Sequence, residues 1–165
     1  CTFVQIGAPS RSLLKTYSDT INAAENEANR INWKLKTKDW QPILFLKKHH
    51  SHEEIIPFYQ SANFCMVTSL HDGMNLVAKE YIAARTNNDG VLILSQFAGA
   101  SHELHSAIVI NPYDIERSAD AIYNALQMSI EQQKHRMKQM RRMVMSNNVY
   151  LWASSILRTM ASIQN

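Results

Sequence analysis

Residues 63–81, NFCMVTSLHDGMNLVAKEY, decide the fold of this chain. Positions 63–68 are apolar and rich in strand formers, while Leu76, Val77, Glu80 and Tyr81 fall on neighbouring turns of a helix that begins after Gly73. A strand running through a short glycine turn into a helix is the elementary step of an α/β fold. Asp72 stands at the N-cap position of that helix, and Gly73 lets the backbone approach a ligand closely. The free N–H groups of Met74, Asn75 and Leu76 then point out of the helix start, where they suit hydroxyls and phosphates. Glu80, about two turns further along the same helix, is spaced to reach a more distant part of a ligand held at the helix start.

Working outward, apolar strand candidates recur at 2–6, 43–46, 91–94 and 107–110, with segments of helical character between most of them. Strand alternating with helix predicts five parallel strands. The first connection is a long helix over about 12–31, with Leu13, Leu14, Tyr17, Ile21, Ala24, Ala28 and Ile31 at helical spacing, packed across one sheet face. The next is short, 53–61, with Pro57 expected in its first turn, and Pro42 fits the start of the second strand. From Asp114 onward the pattern is helical only, over 114–129, 131–145 and 149–163. The fold class is therefore α/β: a Rossmann-like parallel sheet with flanking helices and a C-terminal helical tail. There is no internal repeat, low-complexity tract or flexible linker.

Length and composition narrow the function classes. A chain of 165 residues suffices for one well-buried domain, so residues 1–165 are taken as one. No apolar run approaches the ~18 residues of a spanning helix, which argues against a membrane protein. The net charge of +3 comes mostly from one late helix and does not by itself argue for nucleic acid. Cys1 at the terminus and Cys65 inside a strand suit a reduced, cytoplasmic protein better than a disulfide scaffold. The chain opens inside a strand, without an initiator Met or a leader, and is expected to be the C-terminal part of a longer polypeptide.

In open parallel sheets ligands bind beyond the carboxyl ends of the strands. Arg11 follows the first strand, His49 and His50 the second, Asp72 and Gly73 the third, and Gln96 to Ser101 the fourth. Such a row of polar and small residues specifies a site without specifying a substrate.

Four blocks in order carry a resemblance: ENEANRIN at 25–32, LHDGMNLVAKEY at 70–81, LSQFAGA at 94–100 and VINPYD at 109–114. Together they resemble the trehalose-6-phosphate synthases, through nearly the whole chain. The resemblance implies a retaining glycosyltransferase of two Rossmann-like domains facing each other across a cleft, with this chain as the C-terminal, donor-binding half. The implied reaction moves glucose from UDP-glucose or GDP-glucose to glucose 6-phosphate, giving trehalose 6-phosphate. No metal or other cofactor is implied.

By the same resemblance, Asp72 is similar to the carboxylate that accepts hydrogen bonds from the donor glucose and is the candidate catalytic residue. Gly73 and the N–H groups of Met74, Asn75 and Leu76 are implied to meet the sugar and the diphosphate. Glu80 resembles the ribose-binding carboxylate, a chemically apt acceptor for a vicinal diol. His49, and less strongly Ile55, are implied to contact the base, and Arg11 resembles the arginine that reaches the phosphate of glucose 6-phosphate. Part of the family's machinery lies in its other domain, so these 165 residues alone are not expected to be active. A homo-oligomer of the full-length protein is admitted. The alternative is a non-catalytic regulatory relative that binds sugar phosphates or partner subunits. Retention of both Asp72 and Glu80 argues against such degeneration.

Other features have plainer explanations. His49-His50-Ser51-His52 and His102-Glu103-Leu104-His105 lack the spacing of a helical two-histidine zinc motif, and no Cys pair completes a set. The basic run 134–142 carries Met137, Met140 and Val144 as an apolar stripe, which predicts a packed helix with a solvated basic face. Trp33, Trp40 and Trp152 are expected to be packing residues, although the last helix, with Leu151 and Trp152, is expected to present an exposed apolar patch.

Overall fold

The computed structural model describes residues 1–7 and 15–163, so Arg11, Leu13 and Leu14 lie outside the described residues. Two compact units follow one another, residues 1–54 and 55–165. The five expected strands are present and parallel, each within a residue of its predicted place. Hydrogen bonding divides them into a two-stranded sheet in the first unit and a three-stranded sheet in the second.

In the first unit β1 (Phe3–Ile6) pairs in register with β2 (Ile43–Leu46), from Phe3 opposite Ile43 to Ile6 opposite Leu46. The connection is α1 (Lys15–Leu35), longer at its end than its apolar spacing suggested. Asn32 explains the register of helix against strand: its amide donates to the Ile43 carbonyl at 2.8 Å and accepts from the Ile43 N–H at 2.9 Å. Ala28 is buried on the predicted stripe, whereas Tyr17 and Ala24 remain exposed, because a two-stranded sheet has too little face to cover a 21-residue helix. Trp33 and Trp40 correct the packing expectation. Trp33 is 81% exposed under the Lys36 ammonium, and Trp40 spends its indole N–H on the Thr2 hydroxyl at the surface.

Helix α2 (His52–Ser61) starts with a reciprocal cap: the Ser51 N–H donates to Glu54 Oε2 and the Glu54 N–H to Ser51 Oγ. The helix starts at His52, and Pro57, inside it, is not in its first turn as expected.

The second unit holds the main core. Its sheet runs β3 (Phe64–Val67), β4 (Val91–Ser95), β5 (Ile108–Ile110), with β4 central and buried at all five positions. Such a strand reads as an unbroken apolar run because both faces are covered. Leu92 and Leu94 pack with α3 (Leu76–Ala84) and α5 (Ile130–Ser146) through Ala78, Tyr81, Ile82, Met137 and Met140. Val91 and Ile93 point to the opposite side, onto Ala121 and Ala125 of α4 (Ile115–Leu126). The methionine stripe of the basic helix is thus core, and two of its arginines brace the backbone. Arg136 donates to the Ser106 carbonyl, and Arg141 to those of Ile82 and Ala83.

Asp114 caps α4, and a Ser129–Gln132 capping box starts α5. In α6 (Val149–Ile163) none of the residues is buried, and Trp152 is 60% exposed, so it too is no packing residue within this chain. The exposed patch expected there is present, in Tyr150, Leu151, Trp152, Leu157 and Met160. Among the described residues no helix is long and apolar enough to cross a membrane.

Candidate functional site

Parallel strands bring the loops after β3, β4 and β5 to one edge of the three-stranded sheet, and the first two are locked together. The Asp72 N–H donates to the Phe97 carbonyl at 3.2 Å, Gly99 N–H to the Asp72 carbonyl at 2.9 Å, and Ala100 N–H to the Met74 carbonyl at 2.7 Å. These bonds make an isolated parallel bridge between Asp72 and Ala98, extending the β3–β4 pairing past the strand ends. The approach is close enough to require glycine at position 99, since a Cβ there would stand 2.1 Å from the Gly73 carbonyl oxygen. A short 3-10 turn, Gly99–His102, completes the second loop.

Because Asp72 is held in this bridge, it is not the helix cap. The N-cap of α3 is Asn75, whose side-chain oxygen accepts from the Ala78 N–H at 2.9 Å, and Glu80 consequently lies just over one turn into the helix rather than two. Asn75 takes φ = 75°, a left-handed conformation that asparagine tolerates better than most residues. Its side-chain N–H donates to Asp72 Oδ2 at 2.9 Å, and the Met74 N–H donates to Oδ1 at 3.1 Å. The Met74 N–H, expected to be free, is therefore engaged in orienting the carboxylate. The N–H groups of Asn75 and Leu76 have no hydrogen-bond partner among the described residues.

The surface here is open. Leu76 is 60% exposed, Met74 is exposed, and a Cβ on Gly73 would meet nothing within 4 Å. A half-buried carboxylate with fixed orientation, beside an uncovered helix N-terminus, can accept from hydroxyls while the helix start attracts an anion. One turn along, the half-buried Glu80 accepts at Oε2 from the Tyr59 hydroxyl, 3.2 Å away. Burial, reinforced by the Glu80 charge, pushes the Tyr59 phenol above its usual range, so at neutral pH it acts as a donor. Lys79, on the same helix, is paired at 3.0 Å with Glu103 and is not available to a ligand as a bare charge.

Aromatic side chains from the three loops form a file along this edge. His71 meets Phe97 at 5.9 Å between ring centres, and Phe97 meets Tyr113 edge-on at 5.7 Å. Neither this file nor the Tyr59 contact was foreseen. His71, Phe97 and Tyr113 are distant in sequence, and Tyr59 lies 21 residues from Glu80 on another helix.

The structure thus gathers Asp72, Gly73, Met74, Asn75, Leu76 and Glu80 on one loop and helix start. Ile55 is half-buried on α2, His49 is an exposed residue after β2 in the first unit, and Arg11 lies outside the described residues. Among the described residues, no three His, Cys, Asp or Glu are grouped to hold a metal.

Comparison with known proteins gives a consistent result. Residues 1–162 match the model of glycosyltransferase family 20. The chain is 40% identical to the trehalose-6-phosphate synthase of Sodalis glossinidius over 98% of its own length and 34% of that protein's, so it spans about a third of the relatives it matches. The structure of an alpha,alpha-trehalose-phosphate synthase (UDP-forming) from Burkholderia xenovorans in complex with glucose 6-phosphate superposes with a TM-score of 0.91. Identity is 39%, over 95% of this chain and 35% of that one. An Escherichia coli structure bound with UDP-2-fluoro glucose gives 0.91 and 39%, over 96% and 35%.

Proposed function

This chain belongs to glycosyltransferase family 20, and from that premise we propose that it is the donor-binding domain, residues 1–165, of a trehalose-6-phosphate synthase. The enzyme would transfer glucose from UDP-glucose to glucose 6-phosphate with retention of configuration, in the cytoplasm. The UDP-forming relative and the relative bound with UDP-2-fluoro glucose favour UDP-glucose over GDP-glucose as donor.

The observation that carries the proposal is the Asp72 carboxylate, fixed by Asn75 and Met74 beside an open helix N-terminus. In the proposed roles Asp72 accepts from the donor glucose hydroxyls, and the N–H groups of Asn75 and Leu76 face the diphosphate across the bare Gly73 backbone. Met74 N–H reaches the ligand only by sharing its bond with Asp72. Glu80 takes the ribose hydroxyls, His49 and Ile55 the base, and Arg11 the acceptor phosphate. Catalysis then rests on positioning and on stabilising the leaving diphosphate with oriented donors.

Calorimetric titration of the chain with UDP-glucose and with GDP-glucose, repeated for Glu80→Ala, tests this. Binding that weakens about tenfold in the variant, ~1.4 kcal/mol, is the expected result, and the preferred nucleotide names the donor. A folded wild-type chain that binds neither at millimolar concentration would overturn the donor-domain assignment.

A further inference from the structure

We infer that Tyr59 is a positioning residue of the donor site: its hydroxyl holds one oxygen of Glu80, so that the other alone is presented to the ribose hydroxyls. The inference rests on the assignment of Glu80 to the ribose. The Tyr59 hydroxyl lies 3.2 Å from Glu80 Oε2, while Oε1 has no hydrogen-bond partner among the described residues. A glutamate on a helix has three rotatable side-chain bonds, and a contact to one oxygen removes most of that freedom before the ligand arrives.

Tyr59 can impose this order because it is itself fixed. Its ring packs edge-on against Tyr81 at 6.3 Å between centres, and its carbonyl accepts from Arg85 Nη1 at 3.2 Å. Arg85 is buried, reaches the Gln60 carbonyl as well, and is paired at 2.6 Å with Asp89. The Tyr81 hydroxyl in turn donates to the Ala62 carbonyl at 3.2 Å. The end of α2 is therefore pinned to α3 through backbone carbonyls. The hydroxyl of Tyr59 is left as the single polar group that this assembly directs at the ligand-side carboxylate. Packing alone would be served by phenylalanine.

The experiment compares UDP with 2′,3′-dideoxyuridine diphosphate, by calorimetry on the full chain, in wild type, Tyr59→Phe, Glu80→Ala and the double variant. Tyr59→Phe should weaken UDP binding about fivefold, leave the dideoxy nucleotide unaffected, and cost nothing further once Glu80 is Ala. The ratio of the two affinities within one variant cancels any loss of folded protein. An equal loss for both nucleotides, a loss that persists in the Glu80→Ala background, or no loss for UDP would each overturn the role. Wild type that fails to bind UDP would instead refute the site assignment itself, and the inference with it.

Discussion

Asn75 does two jobs with one side chain. Its oxygen caps α3, and its N–H group steers the carboxylate of Asp72. The two functions separate in Asn75→Asp, which retains a capping oxygen but replaces the donor with a second negative charge against Asp72 Oδ2. The expected outcome is a helix content close to wild type by circular dichroism, with UDP-glucose binding reduced at least tenfold. Equal binding by the variant would show that the orientation of Asp72 is immaterial. At this scale the sequence reading brought Asp72 and Asn75 onto one turn but placed the cap three positions early. A carboxylate followed by glycine satisfies the local preferences of an N-cap, and the competing partner, the Phe97–Gly99 backbone, comes from a different strand. Long-range backbone pairing of this kind leaves no trace in local spacing.

Between elements, the decisive contact is the lock of the β3 and β4 loops, and its two glycines differ in kind. Gly99 faces backbone, with the Gly73 carbonyl oxygen 2.1 Å from where a Cβ would sit, whereas Gly73 faces open space. Gly99→Ala must push the loops apart and break the bonds at Asp72 and Met74. Overpacking of this sort costs about 1–3 kcal/mol, which should appear as a lowered melting temperature together with weaker donor binding. Gly73→Ala should leave the melting temperature unchanged and weaken only the binding, since its methyl group would stand where the ligand is proposed to lie. A Gly73→Ala protein that binds UDP-glucose normally would remove the ligand from that surface. The strands and α-helices were legible, because strands of a parallel sheet are apolar runs, most clearly β4, which is buried at every position. Boundaries were less so: α2 starts one residue early, at a Ser51–Glu54 cap made by two polar side chains with no apolar periodicity.

For the molecule as a whole, a repeating apolar pattern predicted burial in the second unit, where a covered sheet receives it, and residue type alone did not. Met137 and Met140 sit on a stripe and are buried, but Trp33 and Trp40 are exposed, since residue type without pattern does not say which face a side chain occupies. Burial also sets how the fold responds to alkali. Cys65, half-buried on β3 against the main core, has its thiol pushed from 9.0 up to about 12 by burial. Burial likewise raises the phenols of Tyr59 and Tyr81 from their usual 10.0. Each group is neutral in the folded state at a pH where the unfolded chain has begun to lose the proton. The unfolded state then binds fewer protons, and stability falls as pH rises. The contribution is fully present below pH 9, begins to be lost there through Cys65, and is lost faster above pH 10 as both tyrosines join. Thermal melts in steps from pH 8 to 11 should therefore show a decline that starts near pH 9, and Cys65→Ala should delay that onset to near pH 10 whatever its stability at neutral pH. An onset unmoved by the substitution would mean that the thiol ionises as freely in the folded protein as in water, and that β3 is not packed as its burial indicates.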